Sequence, residues 1–244
     1  MVGRGAFGLR IFVAPDALAV GDVSVRGEEH HYVGVVRRAR VGDVVELVDG
    51  AGRRASGEVV AITANETRVR VAAVEAVVAA PPHVRVLVPW IKGERMDQCL
   101  EKLVEVGVDT IVVWPAARSV VRLDGERLAA RIGKAQAAAQ AAARQSGRAA
   151  VPVVSSAETL AAAIAELPLG GLRFALDPCA DRAALPSLCP DVTFASGPEG
   201  GLTSAELDAL LGAGFASLGL GPRTLRAETA PVVAVALVRA ATTS

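Results

Sequence analysis

From His83 onward, short apolar segments alternate with amphipathic or alanine-rich helical segments. Val84–Val88 predicts a buried strand, and Glu94–Val106 predicts a helix that ends at Gly107, because its apolar side chains recur on one face. Such alternation favours a mainly parallel sheet with helices on both faces. The other predicted strands are Thr110–Trp114, Arg173–Leu176, Val192–Ala195 and Ala216–Leu220, and the other predicted helices include Leu128–Gln145, Ala157–Leu167 and Glu228–Ala241.

Two helix starts carry a capping-box signal, in which a Ser or Thr precedes a Glu by three positions. Ser155 with Glu158 predicts the start of one helix. Thr203 with Glu206 predicts the start of another, which ends near Gly214. In both cases the hydroxyl is expected to accept a hydrogen bond from a free backbone N–H of the first turn.

The first part of the chain has a different pattern, in which short valine-rich segments are separated by turn signals. Closely spaced short strands favour a small β-barrel, to which the sequence adds one helix at Glu28–Arg38. The predicted strands are Arg10–Val13, Val44–Val48, Gly57–Ile62 and Thr67–Val74. Consecutive prolines in Ala79–Pro82 indicate a linker. The predicted domains are therefore residues 1–78 and 83–244.

The composition excludes several classes of protein. No apolar run reaches the roughly 18 residues of a membrane span, and the first nine residues lack the apolar stretch of a signal peptide. The chain has three cysteines, Cys99, Cys179 and Cys189, which is an odd count without a CxxC pair. This argues against a disulfide framework and against a metal site. We therefore expect reduced thiols, no metal, no membrane partner and a cytoplasmic protein.

The charges are balanced overall but unevenly distributed along the chain. Residues 82–150 contain 11 basic and seven acidic side chains, whereas residues 151–244 contain five basic and nine acidic ones. A basic middle segment is consistent with a surface that binds a polyanion. An uneven but merely solvated surface explains the same counts equally well.

Two glycine-rich segments follow predicted strands. Gly197–Gly201 has three glycines and a proline in five residues, and Leu218–Ala230 begins with two glycines and a proline before Arg226 and Glu228. Glycines allow tight turns and close approach to a ligand, and α/β sheets bind small molecules at the carboxyl ends of their strands. Neither segment is a dinucleotide-binding or Walker motif. A plain turn and a structural ion pair remain the alternatives.

Short basic segments indicate candidate contacts to phosphates. They are Lys92–Arg95, Arg118–Arg122 and Arg144–Arg148 in the basic middle of the chain, and His30-His31 with Arg37 and Arg38 in the β-rich part. Each one alone is more typical of a solvated turn. The two histidines lack a third ligand at suitable spacing, so RNA contact or an ordinary helix face is favoured over a metal site.

Taken in order, these segments resemble the bacterial 16S ribosomal RNA uridine-N3 methyltransferases of the SPOUT superfamily, the methyltransferases with a trefoil knot. The resemblance covers nearly the whole chain from Arg10 to Arg239, with Leu202 where the family usually has phenylalanine and Thr224 where it usually has an aliphatic residue. The segments that carry it are Arg10–Val13, His30-His31, Val36–Arg38, Gly42-Asp43, Lys92-Gly93, Glu105–Val108, Arg118-Ser119, Gln145–Arg148, Gly197–Gly201 and Leu218–Ala230.

The resemblance implies an α/β protein with a small N-terminal PUA-like β-barrel that helps grip RNA and a C-terminal SPOUT domain with a knot. It also implies a homodimer that methylates one uridine of the decoding region, in 16S ribosomal RNA within the small ribosomal subunit, with S-adenosyl-L-methionine as cofactor. The residues predicted to bind the cofactor are Leu176, Ser196, Gly197, Pro198, Glu199, Gly200, Gly201, Leu218, Gly219, Leu220, Gly221, Arg223, Thr224, Leu225, Thr229 and Ala230.

The predicted RNA contacts are Arg10, His30, His31, Arg37, Arg38, Lys92, Arg95, Arg118, Ser119, Gln145 and Arg148. The predicted catalytic residues are Arg226 and Glu228. A guanidinium suits the negative charge that develops on the uracil ring, so Arg226 is the candidate for that role. Glu228 either accepts the N3 proton or orients Arg226, and we favour orientation because an ordinary carboxylate is a weak base for this proton.

Two rival functions are consistent with part of this pattern. One is a SPOUT enzyme with another target, such as a ribose 2′-oxygen of transfer RNA. The segments His30–Arg38 and Gln145–Arg148 argue against it, since they resemble the uridine-N3 family. The other is a noncatalytic RNA-binding protein, against which the intact glycine-rich segments argue.

Overall fold

The computed structural model describes residues 9–77, 80–121, 125–181 and 189–242. These residues form two compact units. The first contains residues 9–77 together with Ala143–Val151, and the second contains residues 80–142 and 152–242. The chain therefore leaves the first unit near residue 79 and returns to it for nine residues. The two units are described separately below.

The first unit is built on a six-stranded sheet. Its order is β1-β3-β4-β5-β2, and β6 pairs with β4. The strands are β1 (Arg10–Phe12), β2 (Gly21–Arg26), β3 (Val44–Val48), β4 (Arg53–Ile62), β5 (Glu66–Val71) and β6 (Glu75–Ala76). β1 runs parallel to β3, and the other pairs are antiparallel. Alternate side chains such as Val23, Val25, Val69 and Val71 enter one apolar core, as expected for half-buried strands.

The predicted helix Glu28–Arg38 is only partly correct. Helix α1 covers Gly27–His31, and the chain continues as a π-helical turn over Tyr32–Val36. Arg38 then has a φ of 52°, a left-handed conformation that ends helical structure. The wider turn keeps Val33 fully buried while Val35 and Val36 stay exposed.

Arg144 anchors the segment Ala143–Val151 within the first unit. Its guanidinium forms an ion pair with Glu29 and lies 5.3 Å from the ring centre of Phe12 and 5.6 Å from that of Tyr32. Burial raises the pKa of the Glu29 carboxyl, against the opposite influence of Arg144. Cation–π contact and charge pairing together fix this short segment against the first unit's own residues.

The second unit has a six-stranded sheet in the order β12-β10-β11-β7-β8-β9, with every pair parallel. The strands are β7 (His83–Pro89), β8 (Thr110–Trp114), β9 (Val153–Ser156), β10 (Leu172–Leu176), β11 (Asp191–Ala195) and β12 (Ala216–Leu218). The helices are α2 (Glu94–Val106), α3 (Gly125–Ser146), α4 (Leu160–Ala165), α5 (Ser204–Gly212) and α6 (Ala230–Thr242). The predicted parallel sheet is confirmed. Among the described helices, none is both long and apolar enough to cross a membrane.

One of the two predicted capping boxes is wrong. Ser155 lies in β9, where Val112 of β8 is its register partner, and α4 instead begins after Thr159, whose hydroxyl accepts a hydrogen bond from the Ala162 N–H at 3.0 Å. Pairing with β8 overrides the local helix signal. The second box is confirmed, since Thr203 and Glu206 bond to each other reciprocally at the start of α5.

Candidate active site

A cavity lies at the carboxyl edge of the second unit's sheet, where β10, β11 and β12 end side by side. Leu176 of β10 is the register partner of Leu218 of β12, and Ala175 is the partner of Ala195 of β11. The segments that follow these strands enclose about 610 Å³, a volume typical of small-molecule sites. The lining residues are Arg95, Leu176–Cys179, Ser196–Leu202, Leu207, Leu218, Leu220, Gly221, Arg223–Glu228 and Ala230.

The loop after β11 needs its glycines for steric reasons. The Ser196 N–H donates to the Leu87 carbonyl at 2.9 Å, which continues the sheet pairing, and the Gly201 N–H then donates to Pro198 at 2.8 Å. Gly201 has a φ of 72°, in the left-handed region. A Cβ on Gly197 would lie 2.8 Å from the Leu202 nitrogen. The loop therefore folds back tightly enough to bring its backbone to the cavity wall.

The loop after β12 is held against the loop after β10. The Asp177 N–H donates to the Leu218 carbonyl at 3.1 Å, and the Gly219 N–H donates to the Asp181 carbonyl at 3.0 Å. A Cβ on Gly219 would lie 2.0 Å from the Ala180 carbonyl oxygen. Glycine is therefore required by a backbone-to-backbone contact, and this contact sets the distance between two walls of the cavity.

Two buried polar atoms of the cavity have no hydrogen-bond partner among the described residues. They are Ser196 Oγ, on a residue that is 1% exposed, and Glu228 Oε2, on a side chain that is 13% exposed. Arg226 approaches Glu228 only to 3.8 Å and is itself 79% exposed, so this pair is loose. Burial, reinforced by the charge of Glu228, raises the pKa of the nearby Cys99 thiol to about 12.

Nearly all the residues predicted to bind the cofactor line this cavity. Gly219 and Thr229 are the exceptions: Gly219 packs behind the wall, and the Thr229 N–H donates to the Arg226 carbonyl at 2.9 Å in the turn that enters α6. Both predicted catalytic residues, Arg226 and Glu228, also line it. The residues that sequence reasoning missed are Asp177, Pro178, Cys179, Leu202, Leu207 and Ala227. The sequence did contain a signal for Asp177, because this residue directly follows the predicted strand Arg173–Leu176 and ligands bind at the carboxyl ends of such strands.

Seven of the predicted RNA contacts belong to the first unit. His31, Arg37, Arg38 and Gln145 are exposed. His30 is engaged internally, with Nδ1 2.9 Å from the Thr67 hydroxyl and Nε2 3.2 Å from the Ala64 carbonyl. Arg10 is paired with Glu46, and Arg148 is half-buried. RNA contact by this group stays a prediction.

Four predicted RNA contacts belong to the second unit. Lys92 is exposed, and Arg95 lines the cavity with its guanidinium 3.6 Å from the Glu199 carboxylate. Ser119 is buried and its hydroxyl donates to the Trp90 carbonyl at 2.9 Å, so this hydroxyl is already occupied. Arg118 bonds to the loop after β11. No group of three or more His, Cys, Asp or Glu side chains suited to a metal ion occurs among the described residues.

The chain matches two family models, one over each part of its length. Residues 79–239 match the RNA methyltransferase domain, and residues 25–71 match the RNA methyltransferase PUA domain. The chain is also 35% identical, over 235 residues, to ribosomal RNA small subunit methyltransferase E of Mycobacterium bovis, a match that covers 92% of this chain and 87% of the relative. The chain belongs to the ribosomal RNA small subunit methyltransferase E family. The predicted family, with its N-terminal PUA-like domain, is confirmed.

Another curated member of this family and two solved structures are also similar to this chain over most of its length. The enzyme of Bacillus subtilis is 28% identical and covers 88% of each chain. A Legionella pneumophila methyltransferase, solved with bound S-adenosylmethionine, is 30% identical with a TM-score of 0.84 and covers 96% of this chain and 97% of its own. The Neisseria gonorrhoeae methyltransferase E, bound to the same cofactor, has 27% identity and a TM-score of 0.82, with 93% and 95% covered.

Proposed function

We propose that this chain binds S-adenosyl-L-methionine in the cavity at the ends of β10, β11 and β12. With it, the chain methylates N3 of one uridine in the decoding region of 16S ribosomal RNA within the small ribosomal subunit. The observation that carries the proposal is a cavity walled by segments that follow β10, β11 and β12, in which the buried Ser196 hydroxyl has no hydrogen-bond partner among the described residues. Family membership indicates the class of reaction, which is methyl transfer to ribosomal RNA. The resemblance of the RNA-facing segments to the uridine-N3 methyltransferases indicates that the methylated nucleobase is uracil.

The residues present fit such a cofactor. A buried hydroxyl or carboxylate oxygen without a partner is costly, so Ser196 Oγ and Glu228 Oε2, which find none in the part of the chain that the structure describes, favour a ligand that completes their hydrogen bonding. Residues 197–201 all line the cavity, and three of them are glycines, which have no side chain to keep a ligand away from the backbone. The Legionella pneumophila and Neisseria gonorrhoeae proteins hold S-adenosylmethionine, which supports the same ligand here.

When bound, the cofactor supplies an electrophilic methyl group on a sulfonium. The protein must then hold the uracil N3 toward that methyl group, which is a matter of placement. It must also stabilise the negative charge that spreads to the uracil oxygens as N3 loses its proton. Arg226 suits this second task, because its guanidinium lines the cavity and is 79% exposed, so that an entering base can reach it.

Glu228 supports Arg226 in this scheme. Its Oε1 atom lies 3.8 Å from Arg226 Nη1, close enough to bias the guanidinium electrostatically without immobilising it. A bound base that excludes water would strengthen this pair, because screening falls as water leaves. The N3 proton then leaves to Glu228 or to solvent, and we favour solvent.

The family resemblance also implies contacts between this chain and the RNA. Phosphates would be held by the exposed cations of both units, among them Arg37, Arg38 and Lys92. The domains 1–78 and 83–244, a homodimer, a cytoplasmic location and a knotted C-terminal domain complete the proposed picture. A flipped-out uridine would enter the cavity from the side of Arg226.

The decisive experiment maps methylated nucleotides by mass spectrometry. Purified protein is incubated with S-adenosylmethionine and small subunits from a strain that lacks this modification. We expect one new methyl group on the base of a decoding-region uridine. A methyl group on a ribose oxygen, or on another RNA, would overturn the target, and no transfer to any RNA would overturn the proposed activity.

A further inference from the structure

Arg118 follows β8 and reaches the glycine-rich loop after β11. Its Nη1 atom donates hydrogen bonds to the Gly200 carbonyl at 2.8 Å and to the Leu202 carbonyl at 3.3 Å. Its aliphatic part covers Gly200 closely, because a Cβ there would lie 3.2 Å from Arg118 Cβ and 3.3 Å from Arg118 Cδ. One side chain therefore contacts the loop through both its polar and its apolar atoms.

Arg118 acts from outside the cavity. It is not among the cavity-lining residues, whereas Gly200 and Leu202 both are. The two carbonyls that it binds are thus directed at a side chain behind the wall. A guanidinium suits this task, since each of its terminal nitrogens carries two N–H groups, and Nη1 alone can bond to both carbonyls.

A second contact joins the same two segments next to Arg118. The Ala117 N–H donates to Glu206 Oε1 at 2.7 Å, and Glu206 Oε2 accepts from the Thr203 N–H, also at 2.7 Å. One carboxylate therefore links the turn after β8 to the first turn of α5. Glu206 therefore fixes the end of the loop at Thr203, and Arg118 contacts the loop further back, at Gly200.

We propose that Arg118 is a positioning residue for the cofactor site, which keeps the loop 197–201 in its binding shape. The inference rests on the proposed function, because it takes S-adenosylmethionine as the ligand of that loop. It also gives Arg118 a task other than phosphate contact. Loss of its donors leaves the loop free to relax before binding, so the cofactor must pay the cost of ordering it.

The test compares Arg118→Met with Arg118→Lys and with Arg127→Met. Methionine keeps much of the apolar contact and removes the donors, whereas lysine restores a cationic nitrogen with N–H donors but not the guanidinium shape. Arg127 is an exposed arginine of α3 that serves as the matched control. Calorimetry measures S-adenosylmethionine affinity, and steady-state kinetics on small subunits separate KM from kcat. Thermal unfolding without ligand reports on stability.

We expect Arg118→Met to weaken cofactor binding by about tenfold, the scale of one or two lost hydrogen bonds. The KM for S-adenosylmethionine should rise in parallel, with kcat at saturation changed by less than about twofold. Arg118→Lys should recover part of the affinity, and Arg127→Met should match the wild type. Unfolding temperatures of all three should stay near that of the wild type.

Wild-type cofactor affinity in Arg118→Met, or a defect confined to the KM for subunits, would overturn the inference while leaving the proposed function intact. Failure of the wild-type protein to bind S-adenosylmethionine would instead remove the proposed function itself. If Arg118→Met does not fold, Gly200→Ala tests the same contact from the other side, because its methyl group would press on Arg118. Unchanged cofactor affinity in Gly200→Ala would then overturn the inference.

Discussion

Arg239 in α6 forms an ion pair with Asp109, 130 positions earlier, at a distance of 2.5 Å. The same guanidinium donates to the Gly107 carbonyl from Nη2 at 2.6 Å and to the Pro82 carbonyl from Nη1 at 2.8 Å. Asp109 also accepts a hydrogen bond from the Val84 N–H at 2.9 Å. One side chain thus ties the last helix to the end of α2 and to the start of β7.

The first prediction is that Arg239→Met lowers the free energy of unfolding by about 2–4 kcal/mol, since it removes the guanidinium that neutralises a half-buried Asp109 and binds two backbone carbonyls. Urea denaturation followed by circular dichroism measures the change. Arg239→Lys restores the charge but not the fork of donors, so it should lose less than the methionine variant. A loss below about 0.5 kcal/mol in Arg239→Met, the size of an ordinary surface substitution, would contradict this account.

The second prediction concerns the chemical step. Arg226→Ala should lower kcat on saturating subunits by about 10²–10³, the usual effect of losing one donor to a developing negative charge. Cofactor and subunit affinities should change much less, because the interaction forms mainly in the transition state. Single-turnover kinetics and calorimetry measure the two effects separately. Near-normal turnover, or a defect that lies wholly in cofactor binding, would remove Arg226 from the proposed role.

The third prediction distinguishes the two roles of Glu228. If it only biases Arg226, Glu228→Gln should reduce kcat by less than about tenfold, because a pair at this separation with an exposed partner contributes little. The pH dependence of kcat should then keep its shape. A collapse in rate together with the loss of one limb of the pH profile would instead identify Glu228 as the general base.

The fourth prediction concerns the contact between two cavity walls. Gly219→Ala places a methyl group 2.0 Å from the Ala180 carbonyl oxygen, so one backbone segment must move. We expect a loss of about 1–3 kcal/mol in the free energy of unfolding, together with weaker cofactor binding. Gly212→Ala is the control, because its Cβ meets no atom within 4 Å. Equal stability of the two variants would show that the segments separate without cost.

The fifth prediction uses the cysteines as probes of the cavity. Cys179 is exposed and lines the cavity, whereas burial raises the pKa of Cys99 to about 12 and that of Cys189 above its ordinary value. Iodoacetamide at pH 8 should therefore modify Cys179 first, because the thiolate is the reactive form. Saturating S-adenosylmethionine should slow this reaction but leave the rate at Cys189 unchanged. Peptide mass spectrometry measures both rates, and equal labelling of Cys179 with and without cofactor would contradict the site.

The fold of the second unit was largely predictable, because the apolar periodicity and the residues typical of turns and helix ends indicate the same elements there. The helix Glu94–Val106 and the strand Thr110–Trp114 have the predicted bounds. β9 was missed because Val153–Ser156 is short and half polar, and only its pairing with β8 makes it a strand. In the first unit β2 was missed although Val23 and Val25 alternate with polar residues, a signal that was present but brief.

The candidate site was predictable where backbone shape dictates the residue type. Glycines at 197 and 219 mark close approaches that no other residue permits. The contribution of Cys179 was not predictable, because no local pattern marks it and only the neighbouring position of β10 and β12 brings it to the cavity. The network of Arg239 was equally hidden, since two of its partners are backbone carbonyls that any residue supplies and the third, Asp109, lies 130 positions earlier in the chain.

The order of the strands in the second unit also determines when the cavity can exist. β12 is the last strand in the chain, yet it pairs with β10, and its following loop provides the wall that contains Arg226 and Glu228. A chain emerging from the ribosome can pair β7, β8, β10 and β11 while that wall is still missing. Competence to bind a ligand is therefore acquired only after β12 has joined the edge of the sheet, once nearly the whole chain has been synthesised.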